Sequence, residues 1–264
     1  LKIVNREQSP GFEFMPPDHD GQIRMDCSST AAMANLIAVR DRFDLAFAND
    51  PDADRHGIVG PEGLINPNQF LAVCVDYLIR HRLKRVRRVA VGKTLVSSSM
   101  IDRVAHAFGY HVQEVPVGFK WFVEGLGRGQ LLFAGEESAG ASLLQFDGRP
   151  WTTDKDGIAL CLLAAEIRAV TGRTPHQYYR ELEARHGRCW YQRVAAPVTD
   201  ELRSRLASLD ASRPPVATLA GSPVRRCLTH LPDSGQAIGG VKVVTDRGWF
   251  TVRPSGTEPV YKLY

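Results

Sequence analysis

The sequence is short of several things. Its 264 residues hold five cysteines, and no two of them form a C-x-x-C pair. The number is odd, and Cys74 and Cys161 sit in apolar runs, LAVCV and ALCLL. A disulfide framework is therefore not expected; reduced core thiols of a cytoplasmic protein are. No apolar run reaches the roughly 18–20 residues that a transmembrane helix needs, so no membrane partner is expected. No basic-then-apolar leader opens the sequence as it stands. Charge of one sign is also scarce: 33 Lys+Arg against 29 Asp+Glu leaves 33 − 29 = +4. That excess is too small to imply nucleic acid and is compatible with a small anionic substrate. What is present, 44% hydrophobic and 23% charged residues, excludes a disordered chain and a collagen-like fibre.

Along the chain, strand and helix signals alternate. Ser28–Arg40 reads as a helix whose N-terminal cap comes from the serines or Thr30. Leu45–Asn49 reads as a buried strand, and Asn66-Pro67 as the cap and first turn of a helix through Arg80. The run His81–Arg88 reads as a solvated connection between domains. Strands follow at Val89–Val91, Val112–Val115 and Leu131–Ala134. Helices are expected after Ser97–Ser99, over Phe119–Leu126, from Asp154 to Val170 and from Thr174-Pro175. This alternation predicts an α/β fold with mixed or parallel sheets flanked by helices. After Gly187 the texture changes. A strand at Trp190–Ala195, a helix near Glu201–Leu209 and a hairpin of Ile238–Thr245 with Trp249–Arg253 predict a small α+β domain.

Four segments carry chemistry. Asp50, Asp52 and Asp54 alternate in DPDADR directly after the LAFAN strand. Alternating carboxylates on a loop can converge on one hard cation such as Mg²⁺, and Arg55 adds a planar guanidinium suited to phosphate. The alternative is a solvated acidic turn. In GEESAGAS, Glu136 and Ser138 match sugar hydroxyls as acceptor and donor, although a helix N-terminal box also explains the motif. In TDKDG, Asp154 or Asp156 can cap a helix, which leaves Lys155 unexplained. Near a metal and a phosphate, a lysine with a lowered pKa could transfer protons. In RPSGTE, Arg253, Ser255, Gly256 and Thr257 can form an anion cradle, where the alternative is an ordinary hairpin loop. Lys93 and Lys120 are weaker candidates to reach an anionic substrate.

Taken in order, NDPDADRHG, VPVGFKWF, GEESAGAS, TDKDG and RPSGTE resemble the α-D-phosphohexomutase family over nearly the whole chain. Within the family, the wording of GEESAGAS and TDKDG resembles the branch acting on glucose phosphates more than the phosphomannomutase or phosphoglucosamine mutase branches. The resemblance implies four domains around a cleft, of which this chain would supply parts of three. Residues 1–84 would be most of an α/β domain with the metal loop. Residues 85–187 would be an α/β domain with the sugar loop, and 188–264 a truncated α+β domain with the phosphate loop.

The resemblance also implies roles. Asp50, Asp52 and Asp54 would hold Mg²⁺, and Arg55 would place the phosphate. Glu136 and Ser138 would grip ring hydroxyls, and Lys155 would be the general acid/base. Arg253, Ser255, Gly256 and Thr257 would hold the non-reacting phosphate. Substrates would be glucose 1-phosphate and glucose 6-phosphate, with glucose 1,6-bisphosphate between them. His56 is not general to the family and receives no catalytic role. The family's phosphorylated serine, in a motif like T-A-S-H-N-P, has no counterpart here, so the chain alone is expected not to turn over. Two rivals remain: an aspartate-nucleophile phosphatase acting through Asp50, and a non-catalytic sugar-phosphate or Mg²⁺-binding module. Oligomeric state is left open.

Overall fold

A computed structural model describes residues 2–18, 21–82, 89–197, 199–208, 211, 216–255 and 259–264. The chain folds as two compact units. The first holds Leu1–Lys93, Ser97–Gln113 and Gly118–Cys189; the second holds Thr94–Val96, Glu114–Val117 and Trp190–Tyr264.

In the first unit, α1 (Ala34–Ile37) precedes an antiparallel sheet of β1 (Ala46–Asn49), β2 (His56–Gly60) and β3 (Gly63–Leu64). Asn49 pairs with His56, so DPDADR closes a hairpin between two strands. The connection is too short for a parallel crossover, and that is why this part of the sheet is antiparallel. Helix α2 (Pro67–His81) starts where Asn66 accepts from Asn68 N–H, with proline in the first turn. It buries Phe70, Leu71, Cys74, Tyr77 and Leu78.

Next come β4 (Ala90–Thr94), α3 (Ser99–Ala107), β5 (Val112–Val115), α4 (Val123–Gly127), β6 (Leu131–Gly135) and β7 (Ala141–Leu143). Their sheet runs β5-β4-β6-β7. Strands β4 and β6 are parallel, and β7 returns antiparallel. Helices α5 (Gly157–Thr171) and α6 (Pro175–His186) complete the unit. Thr174 and Gln177 form a capping box on α6. One continuous core joins α2, β4, α3, β6, α5 and α6 through residues such as Phe70, Val91, Ile101, Phe133, Leu160 and Leu182. Each such side chain contributes about 1.5–3 kcal/mol by leaving water.

The second unit has β8 (Val194–Pro197), α7 (Asp200–Ala207), β9 (Thr218–Leu219), β10 (Ser222–His230), β11 (Ala237–Thr245), β12 (Trp249–Pro254) and β13 (Val260–Leu263). Its antiparallel sheet runs β8-β13-β12-β11-β10-β9. The expected hairpin is present, with Val244 opposite Trp249. Leu95, Val96, Leu231, Ile238 and Tyr264 form the core of this unit.

Three local expectations need correction. The helix read over Ser28–Arg40 is only α1, followed by a 3-10 turn at Arg40–Arg42. Asp26 Oδ1 accepts both the N–H and the Oγ–H of Ser28, and Ser29 Oγ donates to Asp18. The serines therefore serve side-chain turns that compete with helix. The cap of α5 is Asp156, which accepts from Ala159 N–H; Asp154 accepts from Lys155 N–H instead. The strand read at Trp190–Ala195 begins only at Val194, and Trp190 lies almost wholly in solvent. The division at 84/85 and most of the basic run to Arg88 lie outside the described residues.

Candidate active site

The hairpin loop after β1 is built from its own side chains. Asp50 is buried; it accepts from the Arg55 N–H at 3.0 Å and from the Arg55 Nε–H. Asn49 Nδ2 donates to the Arg55 carbonyl at 2.8 Å. Ala53 takes a left-handed conformation, φ 57°, at the apex. These contacts fold the loop back so that Asp50, Asp52 and Asp54 each present an oxygen within 4.8 Å of the others. Three hard oxygen donors on one loop can hold a divalent cation.

Two other segments dock on this loop. Gly157 N–H, at the start of α5, donates to the Ala53 carbonyl at 2.9 Å. A Cβ at Gly157 would lie 2.2 Å from the Arg55 carbonyl oxygen, so only glycine permits the approach. His56 N–H donates to the Ala139 carbonyl at 3.0 Å, which ties the GEESAG turn alongside. This docking carries Lys155 to the loop. Its Nζ lies 2.6 Å from Asp54 Oδ2 and 4.0 Å from Glu136 Oε2. Glu136 also accepts from Gly118 N–H at 3.0 Å. The structure thus brings together Asp50, Asp52, Asp54, Arg55, Glu136 and Lys155 from three sequence motifs.

The electrostatics follow from these contacts. Burial works against ionised Asp50, yet the hydrogen bonds from Arg55 outweigh it and hold the carboxyl below its usual range. Glu136 is pushed up to about 7, chiefly by burial and then by neighbouring Glu137, with Lys155 opposing. Lys155 reverses the expectation of a lowered pKa. Burial pulls its pKa down, but the hydrogen bond and charge of Asp54 push it above the ordinary value. Its ammonium therefore stays protonated.

Glu136 gives a pH prediction. The folded protein keeps a proton, up to about pH 7, that an unfolded glutamic acid releases near its ordinary value of 4.5. Folded Glu136 binds more protons than unfolded, so its contribution to stability falls as pH rises through that window. Glu136→Gln removes this loss. Urea melts at about pH 5 and about pH 8 should show the variant gaining on wild type at the higher pH. An equal difference at both would contradict the assignment.

Ser138 is half-buried in the GEESAG turn. Lys120 is exposed, its ammonium 5.1 Å from the centre of the Trp121 ring. Lys93 is buried and paired with Asp102 of α3, which occupies the charge that sequence reading offered to substrate. In the second unit, Arg253 lies one residue before the end of β12, with its Nε buried and without a hydrogen-bond partner among the described residues. Ser255 N–H donates to the Val260 carbonyl at 2.7 Å. Gly256 and Thr257 lie outside the described residues. His56, left without a catalytic role, is fully buried edge-on to Phe70 and is held near pKa 4 by desolvation. Sequence reading missed Asn49 and Gly118. Asn49 adjoins the aspartates and was detectable; Gly118 reaches Glu136 only through the fold.

Two family models match: phosphoglucomutase/phosphomannomutase alpha/beta/alpha domain III over residues 66–186, and the C-terminal domain over residues 200–264. A phosphoglucomutase of Komagataeibacter xylinus is 56% identical over 263 residues, covering 99% of this chain. The chain belongs to the α-D-phosphohexomutase family. It spans 47% of the length of that phosphohexomutase relative. Among solved phosphohexomutase structures, a putative phosphomannomutase from Thermus thermophilus superposes with TM-score 0.63 at 25% identity, over 89% of this chain and 46% of its own. An N-acetylphosphoglucosamine mutase of Aspergillus fumigatus, solved with GlcNAc-6P and magnesium, shares the fold with TM-score 0.52 at 13% identity, over 83% of this chain and 48% of its own. No helix among the described residues is long and apolar enough to cross a membrane.

Proposed function

We propose that the chain supplies the metal, sugar-binding and general-acid parts of a phosphoglucomutase that interconverts glucose 1-phosphate and glucose 6-phosphate. The observation that carries this reading is the convergence of three carboxylates, Lys155 and Glu136 on one spot. The donor set suits Mg²⁺: Asp50, Asp52 and Asp54 offer only oxygens, at a spacing one cation can bridge. A cation held there would neutralise charge on a transferring phosphoryl group.

The chain's own residues supply the rest. Lys155, protonated beside Asp54, can give a proton to a sugar oxygen as it leaves phosphorus and take one back in the reverse direction. Glu136, fixed by Gly118 N–H, can accept from ring hydroxyls, and Ser138 can donate to them. Arg55 fixes the loop through Asp50 and leaves its remaining guanidinium donors for a phosphate oxygen. In the second unit, the Nε of Arg253, without a partner among the described residues, suits an anion. The phosphoryl donor would be a serine that this sequence does not supply.

The choice of glucose rests on the wording of GEESAGAS and TDKDG and on the 56% identical phosphoglucomutase. The phosphomannomutase-like structural neighbour keeps mannose phosphates as the second reading. The aspartate-nucleophile alternative would put the transferred phosphate on Asp50, and phosphate trapped there would favour it over the mutase. Calorimetry with Mg²⁺ present tests the choice. Glucose 1-phosphate should bind more tightly than mannose 1-phosphate. Equal affinities, or tighter mannose 1-phosphate, would remove the glucose assignment.

A further inference from the structure

Asp54 is spoken for on both sides. Its Oδ2 pairs with Lys155 at 2.6 Å and its Oδ1 faces Arg55 Nε at 3.6 Å. A cation drawing on Asp54 sets its charge against the ammonium on Oδ2 and the guanidinium facing Oδ1, so the less firmly held of the two gives way. Arg55 is anchored: its N–H and Nε–H both donate to buried Asp50. Lys155 is not anchored in this way. Its stem is flexible, and its ammonium is only 4.0 Å from a second carboxylate oxygen on Glu136. The stem runs over Gly140, where a Cβ would stand 2.3 Å from Lys155 Cδ, so the glycine leaves the room it occupies. Charge favours the exchange as well. Three aspartates with Arg55 and Lys155 sum to −3 + 2 = −1, and departure of Lys155 restores −2 for a dication.

We infer that Lys155 and the divalent cation compete for Asp54, and that loading the cation hands Lys155 over to Glu136. The inference rests on the metal-loop reading above. Its consequence is an order of events: Lys155 joins the carboxylate that reads the sugar only once the loop holds its ion. Lys155 then opposes cation loading as well as serving as an acid for the sugar.

Manganese titration of the 264-residue chain at about pH 8, followed by loss of the free-ion EPR signal, tests this. Lys155→Met should bind Mn²⁺ about tenfold more tightly than wild type, which is ~1.4 kcal/mol. Lys155→Arg, which keeps the charge, should stay near wild type. Glu136→Gln should weaken Mn²⁺ several-fold, because Lys155 loses its other partner. In the Lys155→Met background, Glu136→Gln should then have little further effect. Additive effects of the two changes would mean that each acts by charge at a distance, and would overturn the hand-over. Unchanged or weaker binding by Lys155→Met, with Asp54→Asn still weakening it, would overturn the competition and leave the metal loop standing. No binding by any of these proteins would overturn both. Should Lys155→Met fail to fold, Lys155→Gln replaces it, and unchanged affinity in Glu136→Gln alone is sufficient to reject the hand-over.

Discussion

Asp52→Ala should abolish cation binding while leaving the fold untouched. Asp52 is exposed at the tip of the β1–β2 loop, away from the buried contacts of Asp50, so its removal should shift stability by no more than about 0.5 kcal/mol. It nevertheless supplies one of three carboxylates within 4.8 Å of each other. Losing one of three hard ligands should lower phosphoryl-transfer turnover by at least about 100-fold in an assembled enzyme, since charge neutralisation by the metal is a large part of that barrier. Asp50→Ala should differ in kind. It strips Arg55 of a buried partner as well, so the melting temperature should fall together with metal affinity. Thermal melts beside Mn²⁺ titrations separate the two. A large loss of stability in Asp52→Ala would mean that Asp52, rather than the Asp50–Arg55 contacts, holds the loop in shape.

The largest stability effect is expected away from the site, at Asp76. This carboxylate is fully buried in α2. It accepts from Arg80 Nε at 2.7 Å, from Tyr178 Oη at 2.7 Å and from Arg185 Nη1 at 3.2 Å. The cluster ties α2 to α6. Asp76→Ala would leave the buried Tyr178 hydroxyl unpaired and set two guanidinium groups against each other. Breaking a buried pair by removing one partner costs about 3–5 kcal/mol, but both arginines are partly exposed and can turn to water. A loss of about 2–4 kcal/mol is therefore expected, read as a shift in the urea midpoint with unchanged slope. Asp76→Asn, which keeps an acceptor, should lose less. A loss below about 1 kcal/mol in Asp76→Ala would show that the cluster adds little to the docking of α2 on α6.

Much of this was legible in the sequence where the cause is local. Asn66-Pro67 and Thr174-Pro175 announce α2 and α6, because a cap and a first-turn proline act within a few residues. Alternating Asp50, Asp52 and Asp54 announce a cluster of carboxylates that could hold a cation, because neighbouring side chains on one loop must share space. What failed depended on competition or on distance. Ser28 and Ser29 look like helix caps until Asp26 and Asp18 claim their hydrogen bonds. Asp154 and Asp156 both suit a cap, and only the docking of α5 selects Asp156. Lys93 reads as available until α3 folds over and presents Asp102. Lys155 reads as a lysine of lowered pKa until the fold brings Asp54 to its ammonium. Charge on a side chain is visible in a sequence; the partner that sets its pKa is not.

Whether this chain carries a working phosphohexomutase metal and acid site is tested most directly in a chimera. The matching 263-residue stretch of the Komagataeibacter xylinus phosphoglucomutase would be replaced by this chain. Conversion of glucose 1-phosphate to glucose 6-phosphate would then be measured with glucose 1,6-bisphosphate and Mg²⁺ present. The expected result is turnover by the chimera and its loss, by at least about 100-fold, when Asp52→Ala is introduced. A folded chimera that does not turn over, or one in which Asp52→Ala turns over as fast as the unsubstituted chain, would contradict the assignment.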